Sequence, residues 1–248
     1  MTLEQFFAEN REVAIAFSGG VDSAYLLYAA TRYAARVKAY YVSTAFQPEF
    51  ELEDARRLAD ELGADMLVLH VDVLMSGAVT ANPSDRCYHC KNTLFRQILR
   101  AAENDGFPVL LDGTNASDDA GDRPGMRALR ELSVRSPLRE CGLTKAEIRR
   151  LSREAGLFTW DKPAYACLAT RIRTGEEITL QKLKQTEKAE GFLFGLGFRD
   201  FRVRMVDNTA KLELRETDLP LLLENREKIV TELRKDYDSV LLNLEVRK

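Results

Sequence analysis

Short apolar segments alternate with longer amphipathic segments over the first two thirds of the chain, and this alternation restricts the folds open to it. The strand candidates, rich in Val, Ile, Leu and Tyr, are 13–18, 37–43, 65–71 and 108–112. The helix candidates are 21–33, 49–62, 91–103 and 145–154. Thr144 and Glu147 have the spacing of a capping box at the start of the last of these helices. Strands that alternate with helices of this length predict a parallel sheet with helices on both faces. We therefore expect an α/β fold with a doubly wound parallel sheet.

The pattern changes at about Thr174. The following elements are a helix at 178–194, strands at 201–206 and 211–214, a helix at 219–233 and a strand at 239–246. These elements are sufficient for a small α+β domain at the C-terminal end. We place the domain boundary near Gly175, which gives domains of 1–174 and 175–248.

Composition excludes several classes of protein. The 36 Lys and Arg against 39 Asp and Glu give a net charge of −3, which argues against a strongly basic nucleic-acid-binding protein. No apolar run is long enough to span a membrane, and residues 1–10 lack the pattern of a signal peptide. Four cysteines are too few for a disulfide scaffold. We expect a cytoplasmic protein that binds neither nucleic acid nor membrane.

A glycine-containing hexapeptide, SGGVDS, lies where the first strand turns into the first helix. Gly19 and Gly20 allow a tight turn and a close approach of the backbone to a ligand. The N-terminus of the helix attracts an anion, and Ser18 and Ser23 add hydroxyl donors. Asp22 can hold Mg²⁺ or orient a substrate. The hexapeptide lacks the Walker A ending and the dinucleotide-binding spacing, so it predicts a phosphate loop of another type.

A second polar segment, DGTNASDDAGDRPG, begins at Asp112 and follows the fourth strand. Ligands in open α/β sheets bind at the carboxyl ends of the strands, where both loops are expected. Gly113, Thr114 and Asn115 are candidate nucleotide ligands. Asp118, together with the carboxylate of the first loop, suits Mg²⁺, which prefers oxygen ligands.

The cysteines form a pair and two single residues. Cys87 and Cys90 form a CxxC just before a predicted helix, which is compatible with a redox pair, half of a zinc site or part of an iron–sulfur site. Cys167 lies close in sequence to Arg171, a neighbour that can stabilise its thiolate. Cys141 stands alone and is interpreted as a buried thiol.

Five motifs together resemble the LarE family of ATP-dependent sulfur transferases, members of the PP-loop ATP pyrophosphatase superfamily. They are SGGVDS, NPSDRCYHCK, DGTNASDDAGDRPG, KPAYACLATRI and the RVR of the second domain, and they span nearly the whole chain. The resemblance implies an adenine nucleotide alpha-hydrolase-like PP-loop domain. It also implies that the two polar loops bind ATP, with Mg²⁺ at Asp22 and Asp118.

The resemblance further implies the reaction. LarE-like proteins adenylate the carboxylates of pyridinium-3,5-biscarboxylic acid mononucleotide, release pyrophosphate and form thiocarboxylates in nickel-pincer cofactor biosynthesis, which serves nickel enzymes such as lactate racemase. Asp22 and Cys167 are then catalytic. The three-cysteine pattern of Cys87, Cys90 and Cys167 favours a [4Fe–4S] cluster with a transferable sulfide on the open iron. The alternative is that Cys167 gives up its own sulfur and becomes dehydroalanine.

A candidate site for the substrate phosphate lies in the second domain. Arg202 and Arg204 alternate along a predicted strand, so both guanidiniums share one face and can clamp a phosphate. The resemblance adds Glu190 and Arg171 to this site. It also implies coenzyme A as a further ligand and a homo-oligomer, a hexamer in the family.

Two other functions remain open at this point. A PP-loop tRNA thiolase would share the ATP chemistry, although it should be more basic and often has a second CxxC. A non-catalytic ATP-binding sensor would hold a structural zinc at Cys87 and Cys90 and would release no pyrophosphate.

Overall fold

The structure is a computed structural model that describes residues 1–118 and 124–247. The chain forms two compact units: the first comprises Met1–Val73 and Asp85–Ala164, and the second Leu74–Ser84 and Tyr165–Lys248. The units differ from the ranges 1–174 and 175–248 because segment 74–84 bonds to second-unit residues. For example, the Gly175 N–H donates to the Asn82 carbonyl at 2.8 Å. The domain boundary near Gly175 therefore stays a prediction.

Eleven α-helices lie in the described part of the chain. They are α1 (Leu3–Glu9), α2 (Val21–Tyr33), α3 (Glu49–Leu62), α4 (Gly77–Thr80), α5 (Arg86–Asn104), α6 (Pro124–Glu131), α7 (Pro137–Glu140), α8 (Lys145–Glu154), α9 (Leu180–Gly195), α10 (Leu219–Glu224) and α11 (Arg226–Leu233). The limits of α2, α3 and α8 agree with the predicted ones. The predicted capping box before α8 is confirmed, since the Thr144 N–H donates to the Glu147 carboxylate at 2.9 Å and the Glu147 N–H to Thr144 Oγ1 at 3.3 Å.

Two helix predictions are wrong at their limits. Helix α5 begins at Arg86 rather than residue 91, so the CxxC lies inside the helix, near its start. The segment after Asp85 contains no Gly or Pro to delay the helix, and the Tyr88 N–H already donates to the Asp85 carbonyl at 2.8 Å. The helix predicted at 219–233 is divided at Asn225, whose side-chain amide donates to the Leu221 carbonyl. Asn side chains compete for backbone groups in this way.

The first unit is built on a parallel sheet. Its described strands are β1 (Glu12–Ala16), β2 (Arg36–Ser43), β3 (Asp65–His70) and β4 (Val109–Leu111), in the order β3-β2-β1-β4 with parallel neighbours. After β3 the chain returns to the far side of β1, so the carboxyl ends of β1 and β4 flank the point where the strand order reverses. Ligands bind at such a switch point. The predicted doubly wound sheet is confirmed.

Both faces of this sheet are covered. In β1, Val13 and Ile15 pack with apolar residues of α1, α2, α3 and α8, whereas Ala14 packs with residues of α5. In β2, Tyr41 packs on the same face of the sheet as Val13 and Ile15, and Tyr40 packs on the other face with Ala14. Side chains of a strand alternate between its faces, so each strand supplies both layers of the core.

The second unit contains a small sheet. Its described strands are β5 (Arg202–Val206), β6 (Thr209–Glu213) and β7 (Ser239–Leu242); β5 is antiparallel and β7 parallel to β6. Val203, Met205 and Leu212 pack with apolar residues of α9 and α11. The predicted small α+β unit is therefore present. In the described residues, no helix has the length and apolar character needed to cross a membrane.

Candidate functional site

The first loop connects β1 to α2 and is compact. Gly19 has a φ of +72°, and a Cβ at this position would lie 3.2 Å from Ala55 Cβ and 3.3 Å from the Glu51 carbonyl. Only glycine fits this conformation and the close packing against α3 without strain. The Ser18 and Ser23 hydroxyls lie 3.0 Å apart across the turn. Gly20, which precedes α2, has no side chain that could cap the helix, so the first amide groups of α2 can bind an anion.

The two carboxylate oxygens of Asp22, in the first turn of α2, have different surroundings. Its Oδ2 accepts a hydrogen bond from Lys145 Nζ at 2.6 Å, whereas its Oδ1 is buried and has no hydrogen-bond partner in the described residues. Burial is the main cause that raises the pKa of Asp22, and the charge of Asp118 raises it further. A buried oxygen without a partner is costly, so this site favours a ligand that compensates Asp22.

The second loop is held by side-chain hydrogen bonds at its start. The Thr114 hydroxyl donates to Asp112 Oδ2 at 2.5 Å, and the Ser136 hydroxyl donates to Asp112 Oδ1 at 2.6 Å. The Asn115 N–H donates to Asp118 Oδ2 at 2.9 Å. These bonds fix the backbone of the segment that was predicted to bind nucleotide. Of the polar residues predicted beyond it, Asp119, Asp122 and Arg123 lie outside the described residues.

The two loops meet. A Cβ on Gly113 would lie 2.9 Å from the backbone nitrogen of Ser23, so the second loop passes directly over the start of α2. Any larger residue at Gly113 would push the loops apart. The predicted nucleotide residues thus come together at the switch point of the sheet: Ser18, Gly19, Gly20, Asp22, Ser23, Gly113, Thr114 and Asn115.

A cavity of about 150 Å³ lies beside the first loop. Its lining comes from the ends of β1 and β2 and from α3 and α5, and includes Phe17, Ser18, Tyr40, Val42, Glu51 and Phe95. Ser18 belongs both to this cavity and to the phosphate loop. The cavity therefore suits an apolar ring attached to a phosphate chain.

Lys145, which the sequence predicts only as the first residue of α8, is a further residue of this site. Its ammonium bonds to Asp22, and its backbone N–H donates to Ser117 Oγ at 3.0 Å, so it contacts both loops. A cation in the first turn of a helix opposes the helix dipole. This unfavourable position was the signal in the sequence that Lys145 has another role.

The carboxylates of Asp22 and Asp118 fit a magnesium ion. Nucleotide-bound Mg²⁺ takes one or two carboxylates and completes its shell with phosphate oxygens and water. The unpartnered Oδ1 of Asp22 is a suitable ligand. Within residues 1–118 and 124–247, no three His, Cys, Asp or Glu side chains are grouped to hold a metal ion.

Cys87 and Cys90 lie three residues apart near the start of α5, a spacing that places both side chains on one helix face. Cys87 is exposed and Cys90 half-buried. Between them, the Tyr88 hydroxyl donates to Glu131 at 2.7 Å, and the Arg127 guanidinium lies 4.1 Å from the Tyr88 ring centroid. These contacts tie the turn to α6. Two thiolates held in this way fit a zinc ion or part of a cluster.

Cys167 belongs to the second unit and precedes a 3₁₀ turn at Leu168–Arg171. The Thr170 N–H and hydroxyl both donate to the Cys167 carbonyl, at 2.9 and 2.8 Å. The Arg171 guanidinium donates to the Ala166 carbonyl at 2.8 Å. These bonds fix the backbone on both sides of Cys167. Cys141, the remaining cysteine, is half-buried at the end of α7, and burial raises the pKa of its thiol.

Arg171 and Glu190 form a buried ion pair. Each residue is 1% exposed, and the Glu190 carboxylate accepts two hydrogen bonds from Arg171, at 2.8 and 3.1 Å. It also accepts from the Tyr165 hydroxyl and, at 2.9 Å, from the Val203 N–H of β5. The pair therefore joins the Cys167 turn to β5.

Glu190→Gln is expected to lower the free energy of unfolding by roughly 3–5 kcal/mol, because it leaves the buried Arg171 charge uncompensated. Urea denaturation measures the change. The matched control is Glu154→Gln, which breaks the exposed Arg150–Glu154 pair and should cost at most about 1 kcal/mol. Equal losses in the two variants would contradict a stabilising role for the buried pair.

Of the two arginines that were predicted to bind a phosphate, only one is free of other partners in the described residues. Arg202 and Arg204 do share the solvent face of β5, since Val203 and Met205 face the core. However, Arg204 donates to Glu213 at 2.7 Å and to the Thr170 carbonyl at 2.7 Å, and so holds the Cys167 turn. Their place in a substrate-phosphate site stays a prediction.

Comparison with known proteins gives several matches. A family model described as asparagine synthase matches residues 4–118, which include the first loop and the CxxC. An uncharacterised protein of Synechocystis sp. is 40% identical over 215 residues, 86% of this chain and 80% of that protein. Pyridinium-3,5-bisthiocarboxylic acid mononucleotide synthase of Lactiplantibacillus plantarum is 33% identical over 217 residues, 87% of this chain and 79% of that protein.

A third relative covers less of the chain. The tRNA-specific 2-thiouridylase of Thermotoga petrophila is 26% identical over 191 residues, 59% of this chain and 52% of that protein.

Proposed function

The chain belongs to the LarE family of the PP-loop ATP pyrophosphatase superfamily, and we propose that it adenylates and then thiolates pyridinium-3,5-biscarboxylic acid mononucleotide. It is thus an ATP-using, sulfur-transferring enzyme of nickel-pincer cofactor synthesis. The observation that supports this most directly is the meeting of the two loops around the unpartnered oxygen of Asp22. That arrangement suits a magnesium-bound triphosphate at the switch point of the sheet.

ATP is expected to bind with its triphosphate against the first loop and the N-terminus of α2, and with its adenine in the cavity beside Ser18. Asp22 and Asp118 would hold Mg²⁺, which neutralises phosphate charge when bound. A carboxylate oxygen of the substrate attacks the α-phosphorus, and the bond from that phosphorus to the bridging oxygen breaks to release pyrophosphate. Lys145 keeps the Asp22 carboxylate in place and adds positive charge that favours this leaving group.

The substrate phosphate is assigned to Arg202 and Arg204, with Arg171 and Glu190 in support. Arg202 extends from β5 with no acceptor of its own in the described residues, whereas the buried pair positions both β5 and the Cys167 turn. A phosphate bound at Arg202 would place the substrate near Cys167, because Arg171 and Arg204 both hold that turn.

The sulfur that displaces AMP has two candidate sources. In the favoured route, Cys87, Cys90 and Cys167 would hold a [4Fe–4S] cluster, which would supply the transferable sulfide. The i, i+3 placement of Cys87 and Cys90 on an exposed helix turn supports two of these ligands. In the alternative route, the Cys167 sulfur itself is transferred and the residue becomes dehydroalanine. Coenzyme A binding and a hexameric assembly are further parts of this proposal.

Two rival functions have weaker support. A tRNA thiolase is suggested by the 26% match, but that match covers 59% of the chain, and the net charge of −3 does not favour RNA binding. A zinc-bearing ATP sensor is compatible with the CxxC. It does not account for the Cys167 turn held by Arg171 and Arg204.

Pyrophosphate release from ATP and Mg²⁺ tests the proposal. We expect release to depend on added pyridinium-3,5-biscarboxylic acid mononucleotide, because its carboxylate is the attacking nucleophile. Unmodified tRNA serves as the comparison substrate and should give only the background rate. Release that responds to tRNA alone would support the thiolase, and ATP binding without release in either mixture would support the sensor.

A further inference from the structure

Lys162 is a largely buried lysine of the first unit, and the proposed reaction gives it no role. Its side chain is 14% exposed, and its ammonium lies 2.7 Å from Asp54 Oδ2 and 3.9 Å from Glu51 Oε1. Both carboxylates belong to α3. Lysine side chains are seldom buried unless they are paired. The two carboxylates therefore account for the burial of Lys162 and hold its ammonium against α3.

The main chain at Lys162 is held as well. Its N–H donates to the Thr159 carbonyl at 3.1 Å, where the 3₁₀ turn Phe158–Asp161 ends. The Arg149 guanidinium, from α8, donates to the carbonyls of Trp160 and Lys162, at 2.7 and 2.9 Å. Because both its backbone and its ammonium are held, Lys162 presents a positive charge at a defined place beside α3.

The turn of α3 that carries these carboxylates packs directly on the phosphate loop. A Cβ at Gly19 would lie 3.3 Å from the Glu51 carbonyl and 3.2 Å from Ala55 Cβ. Asp54 immediately precedes Ala55 in the helix. Glu51 also lines the cavity beside the loop, to which the adenine is assigned. The two carboxylates are thus next to the place proposed for the triphosphate of ATP.

We propose that Lys162 sets the affinity of the site for ATP by neutralising carboxylate charge beside the phosphate loop. The two carboxylates and the ammonium sum to a charge of −1, and without the ammonium the sum is −2. Negative charge repels a triphosphate, and partly buried charges are screened little by salt. This inference rests on the proposed function, because it concerns the ATP site. Lys162 acts through Glu51 and Asp54 and is a positioning residue.

Calorimetric titration of the full chain with Mg²⁺ and a non-hydrolysable ATP analogue tests this role. Lys162→Gln is expected to weaken binding roughly 10- to 100-fold, because it leaves both carboxylates uncompensated. Adding Asp54→Asn to that variant returns the charge sum to −1 and should recover most of the lost affinity. Asp54→Asn alone brings the sum to zero and should tighten binding, a result that does not depend on the folding of Lys162→Gln.

Lys38→Gln is the matched control. Lys38 also contacts two carboxylates, Asp65 at 3.3 Å and Asp105 at 3.0 Å, but it lies near the start of β2, at the opposite end of the sheet from the loops. This variant should bind the analogue as the wild type does. Unchanged binding by Lys162→Gln, no recovery in the double variant or weaker binding by Asp54→Asn would each overturn the role of Lys162. Failure of the wild type to bind the analogue would instead overturn the proposed function.

Discussion

Asp22→Asn is expected to reduce substrate-dependent pyrophosphate release roughly 100- to 1000-fold while the protein remains folded. The amide keeps the shape of the side chain but removes the negative charge that would hold Mg²⁺ against the triphosphate. It also removes the charged partner of Lys145, which lies 2.6 Å from Asp22 Oδ2. Steady-state pyrophosphate assays at saturating ATP measure the effect.

The stability of the Asp22→Asn variant separates chemistry from folding. Because burial raises the pKa of Asp22 in the folded chain, ionisation of this carboxyl lowers stability as the pH rises through that pKa. Asn cannot ionise. Lys145 loses its charged partner in this variant, but it is partly exposed, so water solvates its ammonium group. At neutral pH the variant should therefore be about as stable as the wild type or more so.

The control for this variant is Asp65→Asn. Asp65 also pairs with a lysine, Lys38, at 3.3 Å, but it lies at the start of β3, at the opposite end of the sheet from the loops. Its replacement should leave pyrophosphate release unchanged. Full activity of Asp22→Asn would remove Asp22 from the mechanism.

Cys167→Ala is expected to release pyrophosphate but to form no thiocarboxylate. The nucleotide loops belong to the first unit and contain none of the atoms that change, whereas both routes for sulfur transfer require the Cys167 thiolate. Mass spectrometry of the mononucleotide after incubation with ATP measures the product. Cys141→Ala is the matched control, because Cys141 packs against the apolar core and should not take part.

The same pair of variants tests the sulfur source. If the cluster route holds, anaerobically purified wild type and Cys141→Ala contain iron and acid-labile sulfide, and Cys167→Ala loses iron. If Cys167 is sacrificed, the wild type needs no iron and Cys167 appears as dehydroalanine after one turnover. Thiocarboxylate formed by Cys167→Ala would contradict both routes.

Local features were predicted well because their signals lie within a few residues. The capping box at Thr144, the apolar strands and the SGGVDS turn all depend on neighbours in sequence. The start of α5 was missed because a CxxC carries no helix signal of its own. Only the absence of Gly and Pro after Asp85 indicated that the helix begins there.

Contacts between residues far apart in the chain could not be predicted from the sequence in this way. The approach of Gly113 to Ser23 depends on strand order, and the bond from Lys145 to Asp22 joins residues that are 123 positions apart. The engagement of Arg204 by Glu213 depends on the β5–β6 pairing, which sequence alternation does not specify. Sequence placed two arginines on one face correctly, but only the structure distinguishes which of them is already paired.

The most direct test of sulfur transfer is the mass of the pyridinium mononucleotide after anaerobic incubation with the wild-type protein, ATP and Mg²⁺. We expect products in which one and then two carboxylate oxygens are replaced by sulfur, formed only when ATP is present. Recovery of unmodified mononucleotide by a protein that still hydrolyses ATP to AMP and pyrophosphate would contradict the assignment as a sulfur transferase acting on this substrate.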